Sequence, residues 1–369
     1  MPAHPQISPS LNSVAFAIYV ATRHTQPVPA DANNKNSFLA LLSRHAAALV
    51  YVVRVVLPVI FRTGRRPVIF SRFTGMGDII CTIPAARELK QRHPGATFIY
   101  NCHRDFIAVP QIAGLTGRVT SFEAIGLVGH WYRFLLGGFY HFAHGDDMPG
   151  NAAQEPMVVE FFRQFNLPVS EAHPELRASP AAQAKVKALL ARKNLEAGAL
   201  VLLHPGPSWK VKEWPHEHWA QLVVELRRRG FTNIAQLGVA RYLTFGQVAI
   251  QSIPGTVSLV DELSVEECIA AIGMARLFIG IDSGLLHIAA GTRTPAVGIW
   301  GPTNPRLFYS EKHRPNFLTS HLPCSGCEHL KPRGHWFTGC PHDINCMKSI
   351  GPAEVLMRSL AILEAPVED

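Results

Sequence analysis

Charged residues are scarce in this 369-residue sequence: they form 17% of it, whereas hydrophobic residues form 47%. This balance excludes an intrinsically disordered chain and indicates a globular protein with a large core. The sequence also lacks internal repeats and long low-complexity tracts. Its length allows two domains of ordinary size plus extensions.

The charge that is present is mainly basic, with a formal net charge of +8. A basic balance of this size suggests an anionic partner, which leaves nucleic acid, an anionic membrane surface and a phosphorylated substrate open. Lysines and arginines scattered over solvated faces would explain the same net charge without any such partner.

The first 37 residues are rich in Pro, Asn and Ser, and this composition predicts a disordered arm over residues 1–37. The arm contains one short apolar stretch, "VAFAIYV". Because this stretch lacks a basic lead-in and a clear cleavage site, a secretory signal is not expected.

Residues 38–66 form an apolar segment that is interrupted by Arg54. A spanning helix needs about 20 apolar residues, and an arginine near its centre costs about 2.5–3.5 kcal/mol on insertion scales. We therefore predict a helix that lies on a membrane surface rather than across the membrane. A core helix that packs on the domain or in a dimer is the alternative. The headgroup contacts are assigned to Arg62, Arg65 and Arg66.

From Pro67 onward, short apolar runs alternate with helical patterns, as in "PVIFSRF", "ATFIYNCH", "ALVLLHPG" and "RLFIGID". This alternation predicts an α/β protein with parallel sheets covered on both faces. Two such series predict two Rossmann-like domains, over residues 67–190 and 191–350, followed by a C-terminal helix and tail over 351–369. The cleft between them is the expected ligand site.

One strand-to-helix turn, "IDSGLLH", is suited to bind an anion. Asp282, Ser283 and Gly284 lie at the end of a buried strand, and His287 follows about one turn into the helix. Ser283 can cap the helix, and the first free amide groups can hold phosphate oxygens. An ordinary helix cap with a satisfied core histidine is the alternative.

A second such turn, "HPGPSWKVKEWP", also follows a buried strand. Ser208 lies in the turn, and either Lys210 or Lys212 can reach a diphosphate. Lysines of this kind are most often simply solvated. Two anion-binding turns in one domain nevertheless favour a nucleotide-diphosphate site.

A third turn, "SRFTGMGDIICTIP", follows the first strand of the other domain. Gly75 and Gly77 permit a tight turn before Asp78. The pattern is neither a dinucleotide-binding fingerprint nor a P-loop. Asp78 can cap a helix, or it can act as a general base that faces a diphosphate across the cleft.

Together these three stretches resemble the signature regions of glycosyltransferase family 9, the ADP-heptose:lipopolysaccharide heptosyltransferases. The resemblance extends over roughly residues 67–355 in the expected order. It implies a GT-B fold, in which two Rossmann-like domains face each other, with the acceptor bound mostly by the first domain and the nucleotide-sugar by the second. An N-terminal apolar helical extension precedes this fold. The resemblance also implies an inverting, metal-independent transfer.

The resemblance assigns a role to each turn. Asp78 corresponds to the proposed base, in an acceptor-side loop with Gly75 and Gly77. The implied partners are ADP-heptose and a lipid-linked glycan, with no nucleic acid and no catalytic cofactor, at the inner face of the cytoplasmic membrane. The residues assigned to the donor are Ser208, Lys212, Asp282, Ser283, Gly284 and His287.

One departure from the family concerns the segment after "QLG", where an acidic residue often grips the nucleotide ribose. Here the sequence is "GVARYLTFGQ", with Arg241 and no carboxylate. The donor nucleotide and sugar are therefore left open. A non-catalytic nucleic-acid-binding module and a GT-B nucleotide-sugar epimerase are the alternative functions.

Four cysteines lie within residues 324–346, and the spacing suits a tetrahedral structural zinc or iron site. Free or redox-active thiols are an alternative, and disulfides are not expected in a reducing compartment. The predicted ligands are Cys324, Cys327, Cys340 and Cys346, with His329, His335 and His342 as substitutes. The other cysteines, Cys81, Cys102 and Cys268, are predicted core residues.

Overall fold

The computed structural model describes most of the chain beyond the predicted N-terminal arm. Residues 1–33 and the turn residue Ser208 lie outside the described part, whereas the first helix begins at Asn34, inside the predicted arm. The described residues are 34–73, 75–115, 117–141, 156–169, 174–206, 209–242, 246–247, 250–309, 316–329 and 339–365.

The first half of the chain forms a parallel sheet with helices on both sides. Its elements are α1 (Asn34–Tyr51), a π-turn (Val52–Val56), α2 (Leu57–Thr63), β1 (Val68–Ser71), α3 (Met76–Arg92), β2 (Phe98–Asn101), α4 (Ala108–Ile112), β3 (Arg118–Thr120), α5 (Ile125–Trp131), β4 (Gly138–His141) and α6 (Met157–Gln164). The strand order is β3-β2-β1-β4, and every pair in it is parallel. All residues of β1 and β2 are buried, as the continuous apolar runs predict.

The second half forms a larger sheet of the same kind. Its elements are α7 (Pro180–Arg192), β5 (Val201–His204), α8 (His216–Arg228), β6 (Ile234–Gln236), β7 (Arg241–Tyr242), β8 (Gly246–Gln247), β9 (Val257–Ser258), α9 (Val265–Gly273), β10 (Leu277–Ile281), α10 (Gly284–Thr292), β11 (Ala296–Trp300), β12 (Phe317–Thr319), α11 (Asn345–Lys348) and α12 (Pro352–Leu363). The main sheet has the parallel order β12-β11-β10-β5-β6-β9, and β7 and β8 form a separate antiparallel pair. The main order is that of a doubly wound Rossmann sheet.

Local sequence signals explain where several helices begin. Ser179 accepts a hydrogen bond from the backbone of Ala182, and Pro180 occupies the first turn of α7, where its missing N–H costs nothing. Ser264 and Glu267 form a reciprocal capping box at the start of α9.

One helix in the described part of the chain, Leu39–Thr63, is long and apolar enough to cross a membrane by length and composition. Its inner face is part of the first domain. Ala48, Val52 and Val56 are buried in one cluster with Ile69 of β1 and Ile99 of β2. Packing on the domain, the alternative interpretation of this segment, therefore describes one face of the helix.

The two domains meet where α3 packs against α10. Ile79 and Ile80 of α3 share one buried cluster with Leu286 and Ile288 of α10. The helices that follow the "GMGD" and "IDSG" turns are therefore in direct contact, and the predicted architecture of two facing Rossmann-like domains with an N-terminal apolar helix is confirmed.

Candidate active site

Lys212 and Asp282 meet at the switch point of the second sheet. Their turns follow β5 and β10, which are neighbours in the sheet, and ligands of doubly wound sheets bind where the strand order reverses. The Lys212 Nζ donates to Asp282 Oδ2 at 2.5 Å, and the Thr303 hydroxyl donates to the same oxygen at 2.6 Å. Both charged side chains are largely buried.

The environment of Asp282 keeps its carboxyl group ionised. Burial by itself raises the pKa of Asp282, but the Lys212 ammonium and His287 lower it, and the resulting pKa is well below the usual range. The carboxylate therefore remains an acceptor for Lys212 across the physiological range. This holds the ammonium beside the start of α10.

The N-terminus of α10 presents groups that suit a phosphate. Ser283 occupies the N-cap position, yet its side chain makes no capping bond. The Ser283 Oγ is buried and has no hydrogen-bond partner among the described residues. The first amide groups of a helix have no partner within the helix, and its dipole favours an anion there. A phosphate oxygen would satisfy these donors.

His287 is held on both sides of its ring. Its Nδ1 shares a hydrogen bond with the Tyr309 hydroxyl and lies 3.6 Å from the Cys81 Sγ of α3. Its Nε2 lies 3.8 Å from Asp282 Oδ1. The buried histidine thus lies between Asp282 and Cys81 of the first domain, and its contacts are those of a satisfied core residue that also joins the two domains.

Asp78 lies in the first turn of α3 and forms an ion pair with Arg72. The guanidinium is almost completely buried, whereas a fifth of the Asp78 side chain remains exposed. Gly75, three residues before Asp78, has φ +79°, and a Cβ there would lie 2.5 Å from Asp78 Oδ2. A glycine is required at this position both by its backbone conformation and by the carboxylate. The turn therefore fixes the carboxylate and keeps it accessible.

The turn that carries Asp78 and the turn that carries Asp282 pack directly against each other. A Cβ on Gly77 would lie 2.4 Å from His287 Cδ2, and a Cβ on Gly284 would lie 2.3 Å from Met76 Cε. The His287 ring leaves no space for a side chain at Gly77, and the Met76 side chain would have to move to admit one at Gly284. The structure therefore brings Asp78 and the start of α10 to one junction between the domains.

The structure distinguishes the two lysines that the sequence left open. Lys210 is exposed and pairs with Glu213 at 2.8 Å, whereas Lys212 points to Asp282. Sequence reasoning missed the partners Arg72, Thr303 and Tyr309. Arg72 lies inside the quoted stretch "SRFTGMGDIICTIP" and was available as a polar residue beside its turn, whereas Thr303 and Tyr309 lie outside all three quoted stretches.

The four clustered cysteines line one small cavity of about 80 Å³, together with Val211, Pro302 and His342. All seven cysteines of the chain are free thiols. Burial, and then the charges of Glu328 and neighbouring thiols, raise the pKa of Cys327 to about 11. Burial and the other three thiols raise the pKa of Cys346 to about 11. Cys81 and Cys102 are fully buried and Cys268 is partly buried.

This cysteine segment supports the turn that carries Thr303. Gly326 N donates to Gly301 O, and Glu328 N donates to Pro302 O, both at 2.9 Å. As placed, no group of three or more His, Cys, Asp or Glu side chains in the described residues has metal-binding geometry. The set of four thiols around one cavity nevertheless has the chemistry that zinc or iron prefers.

A profile described as glycosyltransferase family 9 (heptosyltransferase) matches residues 135–336, which is more than half of the chain. The chain belongs to glycosyltransferase family 9. The predicted family is thereby confirmed. The Asp78 turn lies outside the matched range, whereas the turns of Lys212 and Asp282 lie within it.

Family 9 relatives include a lipooligosaccharide heptosyltransferase 2 of Haemophilus influenzae, 27% identical over 180 residues. This match covers 44% of the present chain and only 51% of that protein, so the chain matches about half of its length. A lipopolysaccharide heptosyltransferase 1 of Pseudomonas aeruginosa is 24% identical over 312 residues, which cover 70% of this chain and 85% of that protein.

Two solved structures share the GT-B architecture. The iron-containing dodecameric glycosyltransferase TibC from enterotoxigenic E. coli has a TM-score of 0.62 at 19% identity, over 81% of this chain and 79% of that chain. The E. coli ADP-heptose lipopolysaccharide heptosyltransferase II has a TM-score of 0.58 at 16% identity, over 81% and 98%. At these identities the likeness establishes the fold alone.

Proposed function

We propose that this protein transfers heptose from ADP-heptose to a lipid-linked glycan acceptor of the lipopolysaccharide type, at the cytoplasmic face of the membrane. The observation that carries the proposal is the junction where the Asp78 turn meets the start of α10 and the Lys212–Asp282 pair. Family membership supports sugar transfer over a nucleic-acid-binding role, and the names of the relatives support heptose and lipopolysaccharide.

The proposed reaction is a single in-line displacement with inversion. The acceptor hydroxyl loses its proton to Asp78, and its oxygen forms a bond to the anomeric carbon of the heptose. The bond from that carbon to the diphosphate oxygen breaks, and ADP departs with the electron pair. Arg72 orients the Asp78 carboxylate through their ion pair. Base catalysis on the acceptor side and stabilisation of the leaving group then act in the same transition state.

The leaving diphosphate is assigned to the start of α10. The Ser283 hydroxyl and the first amides donate to its oxygens, and Lys212 supplies a cation that Asp282 positions. Tyr309 holds His287 in one ring orientation beside this site. Gly284 leaves the backbone amide open to the phosphate.

A panel of nucleotide-sugars tests the donor. ADP-heptose is expected to raise the melting temperature more than UDP- or GDP-sugars, and to be consumed only when a heptose-deficient lipid-linked glycan is present. Consumption without an acceptor would instead support the epimerase alternative. A preferred donor other than ADP-heptose would contradict the proposed substrate while leaving the family assignment intact.

Asp261 places a carboxylate beside the segment after "QLG", which has no acidic residue of its own. It follows β9, next to β6 in the sheet, and its Oδ1 accepts a hydrogen bond from Ala240 N at 2.8 Å. Its own N–H donates to Gly238 O at 3.1 Å. The carboxylate therefore lies against the "QLGVA" turn from the neighbouring strand. We assign to it the binding of the ribose hydroxyls.

Asp261→Asn is expected to weaken ADP-heptose binding about tenfold or more, because hydrogen bonds to a charged acceptor contribute about 1.5–3 kcal/mol. Asp261 has φ +59°, a conformation that asparagine also tolerates, so the backbone is preserved. Isothermal titration measures the effect. The matched control is Glu262→Gln, which removes the adjacent carboxylate that pairs with Lys193. Equal affinities of both variants and the native protein would refute the assignment.

We also propose that the cysteine cavity holds a structural zinc or iron ion. The candidate ligands, Cys324, Cys327, Cys340 and Cys346, line one cavity. The description of TibC as iron-containing supports the same kind of ion in a protein of this fold. The bound ion would stabilise the cysteine segment, which hydrogen-bonds the Gly301–Thr303 turn. It would thereby support the position of Thr303 beside Asp282 without taking part in the reaction.

Metal uptake by the metal-free protein is expected to release protons at neutral pH. The pKa values of Cys327 and Cys346 are raised to about 11, so these thiols are protonated at pH 7 and must lose their protons to bind a metal. A pH indicator in weak buffer measures the release during zinc titration. Cys346→Ser should reduce both proton release and retained metal, whereas the control Cys268→Ser should change neither. Equal metal content in both variants would exclude the site.

A further inference from the structure

The N-terminal helix carries a second apolar face that the first domain does not cover. We name this the outer face; it consists of Leu39, Leu42, Leu49, Val50, Val53 and Phe61. Intervals of three, four, seven and eight residues place most of these on one side of the helix. All six are exposed, from 48% at Val50 to 82% at Phe61. A helix that is apolar all round requires a second apolar surface.

Two further apolar side chains extend this surface. Trp131 at the end of α5 and Phe134 just beyond it are 56% and 65% exposed. The ring of Trp131 lies 6.1 Å from that of His45 in α1, so Trp131 adjoins the helix, and Phe134 lies three residues further along the chain. Contiguous exposed apolar patches of this kind mark interaction sites rather than ordinary surface.

The outer face is not suited to cross a bilayer. Ala48, Val52 and Val56, on the opposite side of the same helix, are buried against the first sheet. A transmembrane orientation would have to expose that core cluster and detach the helix from Ile69 and Ile99. The helix can instead remain on the domain and bury its outer face to a shallow depth.

The charges around the outer face favour an anionic lipid surface over a second copy of the chain. The sequence has no acidic residue between Asp31 and Asp78. Two copies that met through this face would bring like charges together, whereas anionic headgroups would neutralise them. Exposed basic residues on the helix and directly after it are Arg44, Arg54, Arg62, Arg65 and Arg66.

We infer that the outer face, together with Trp131 and Phe134, docks the protein onto an anionic bilayer surface. The apolar side chains enter the interface, and the arginines contact the headgroups. Tryptophan and phenylalanine are suited to this boundary because their rings bury apolar area at the level of the headgroups.

The docked helix lies at the same edge of the first sheet as the proposed catalytic turn. The Tyr51 hydroxyl shares a hydrogen bond with the Thr120 hydroxyl at the end of β3, and the Tyr51 ring stacks on Phe122. The helix therefore reaches the edge of the sheet at which parallel strands end, and the Asp78 turn follows β1 at the same edge. In this respect the inference rests on the proposed lipid-linked acceptor, which the docked enzyme would meet in the plane of the membrane.

Sedimentation of the full chain with vesicles tests the docking without donor or acceptor. The native protein is expected to bind vesicles of phosphatidylcholine and phosphatidylglycerol at 3:1, and to bind pure phosphatidylcholine at least tenfold less. Val53→Glu should reduce binding to the anionic vesicles at least tenfold. The matched control is Val224→Glu on α8, since Val224 is 54% exposed and Val53 is 52% exposed; it should bind like the native protein.

Two further measurements keep the outcome clear. Phe61→Glu, at the most exposed position of the outer face, should lose vesicle binding even if Val53→Glu proves unstable in a thermal melt. Light scattering without vesicles determines whether the face joins two copies instead. Equal binding of the outer-face variants and Val224→Glu would overturn the inference, and so would a native oligomer that Phe61→Glu dissociates. Neither result bears on sugar transfer.

Discussion

Asp78→Asn is expected to lower the transfer rate by about 10²–10⁴-fold, the usual contribution of a positioned general base. The amide keeps the shape of the side chain but cannot take the acceptor proton. Donor binding should change little, because the assigned donor residues belong to the other domain. Single-turnover transfer and isothermal titration with ADP-heptose, performed on the same preparation, separate the two quantities.

The ion pair with Arg72 makes a second variant necessary. Asp78→Asn also removes a charged partner of the Arg72 side chain, which is only 3% exposed, and loss of stability could imitate loss of catalysis. Arg72→Gln breaks the same pair but retains the carboxylate, so it should lose comparable stability and keep much more activity. Turnover by Asp78→Asn within a few fold of the native rate would show that another group takes the proton.

Lys212→Met is expected to reduce both stability and catalysis. Its removal leaves Asp282 buried without its ammonium partner, and breaking a buried pair in this way costs about 3–5 kcal/mol. The loss of positive charge beside the departing diphosphate should also lower the rate by about 10²–10³-fold, as found when an electrostatic donor is removed from an active site. Chemical denaturation and transfer assays measure the two effects.

Variants at neighbouring positions separate the loss of stability from the loss of catalytic rate. Lys210→Met removes a lysine from the same turn, but Lys210 is 79% exposed at its side chain and pairs with Glu213, so little should change. The double variant Lys212→Met/Asp282→Asn removes both buried charges and should recover much of the stability without recovering the rate. If Lys212→Met retained native donor affinity and turnover, the lysine would be structural only.

Much of the fold follows from short sequence windows. The continuous apolar runs of β1, β5 and β10 predicted buried parallel strands, and the Gly-containing turns after them predicted ligand-facing loops. Neighbouring side chains and backbone geometry within a few residues encode both features. The order of the strands, with β5 beside β10, cannot be predicted from any single short stretch of sequence. This order brings Lys212 next to Asp282.

Other features depend on packing between distant segments. The Cys81–His287 contact joins residues 206 positions apart, and the sequence presented Cys81 only as a core thiol. The carboxylate missing after "QLG" is matched in space by Asp261, which follows a different strand. The sequence around Cys81 and Asp261 does not predict their spatial neighbours, because no periodicity or turn pattern links the segments that come together.

The sequence by itself determined the architecture, the family and the three turns, since apolar periodicity and turn composition are local properties. The tertiary structure decided which lysine meets Asp282, that Arg72 and Tyr309 hold Asp78 and His287, and that one face of the N-terminal helix is core while the other is exposed. The physical reason is that side-chain partners and burial are set by how strands and helices assemble. Segments far apart in the chain become neighbours only in the folded protein.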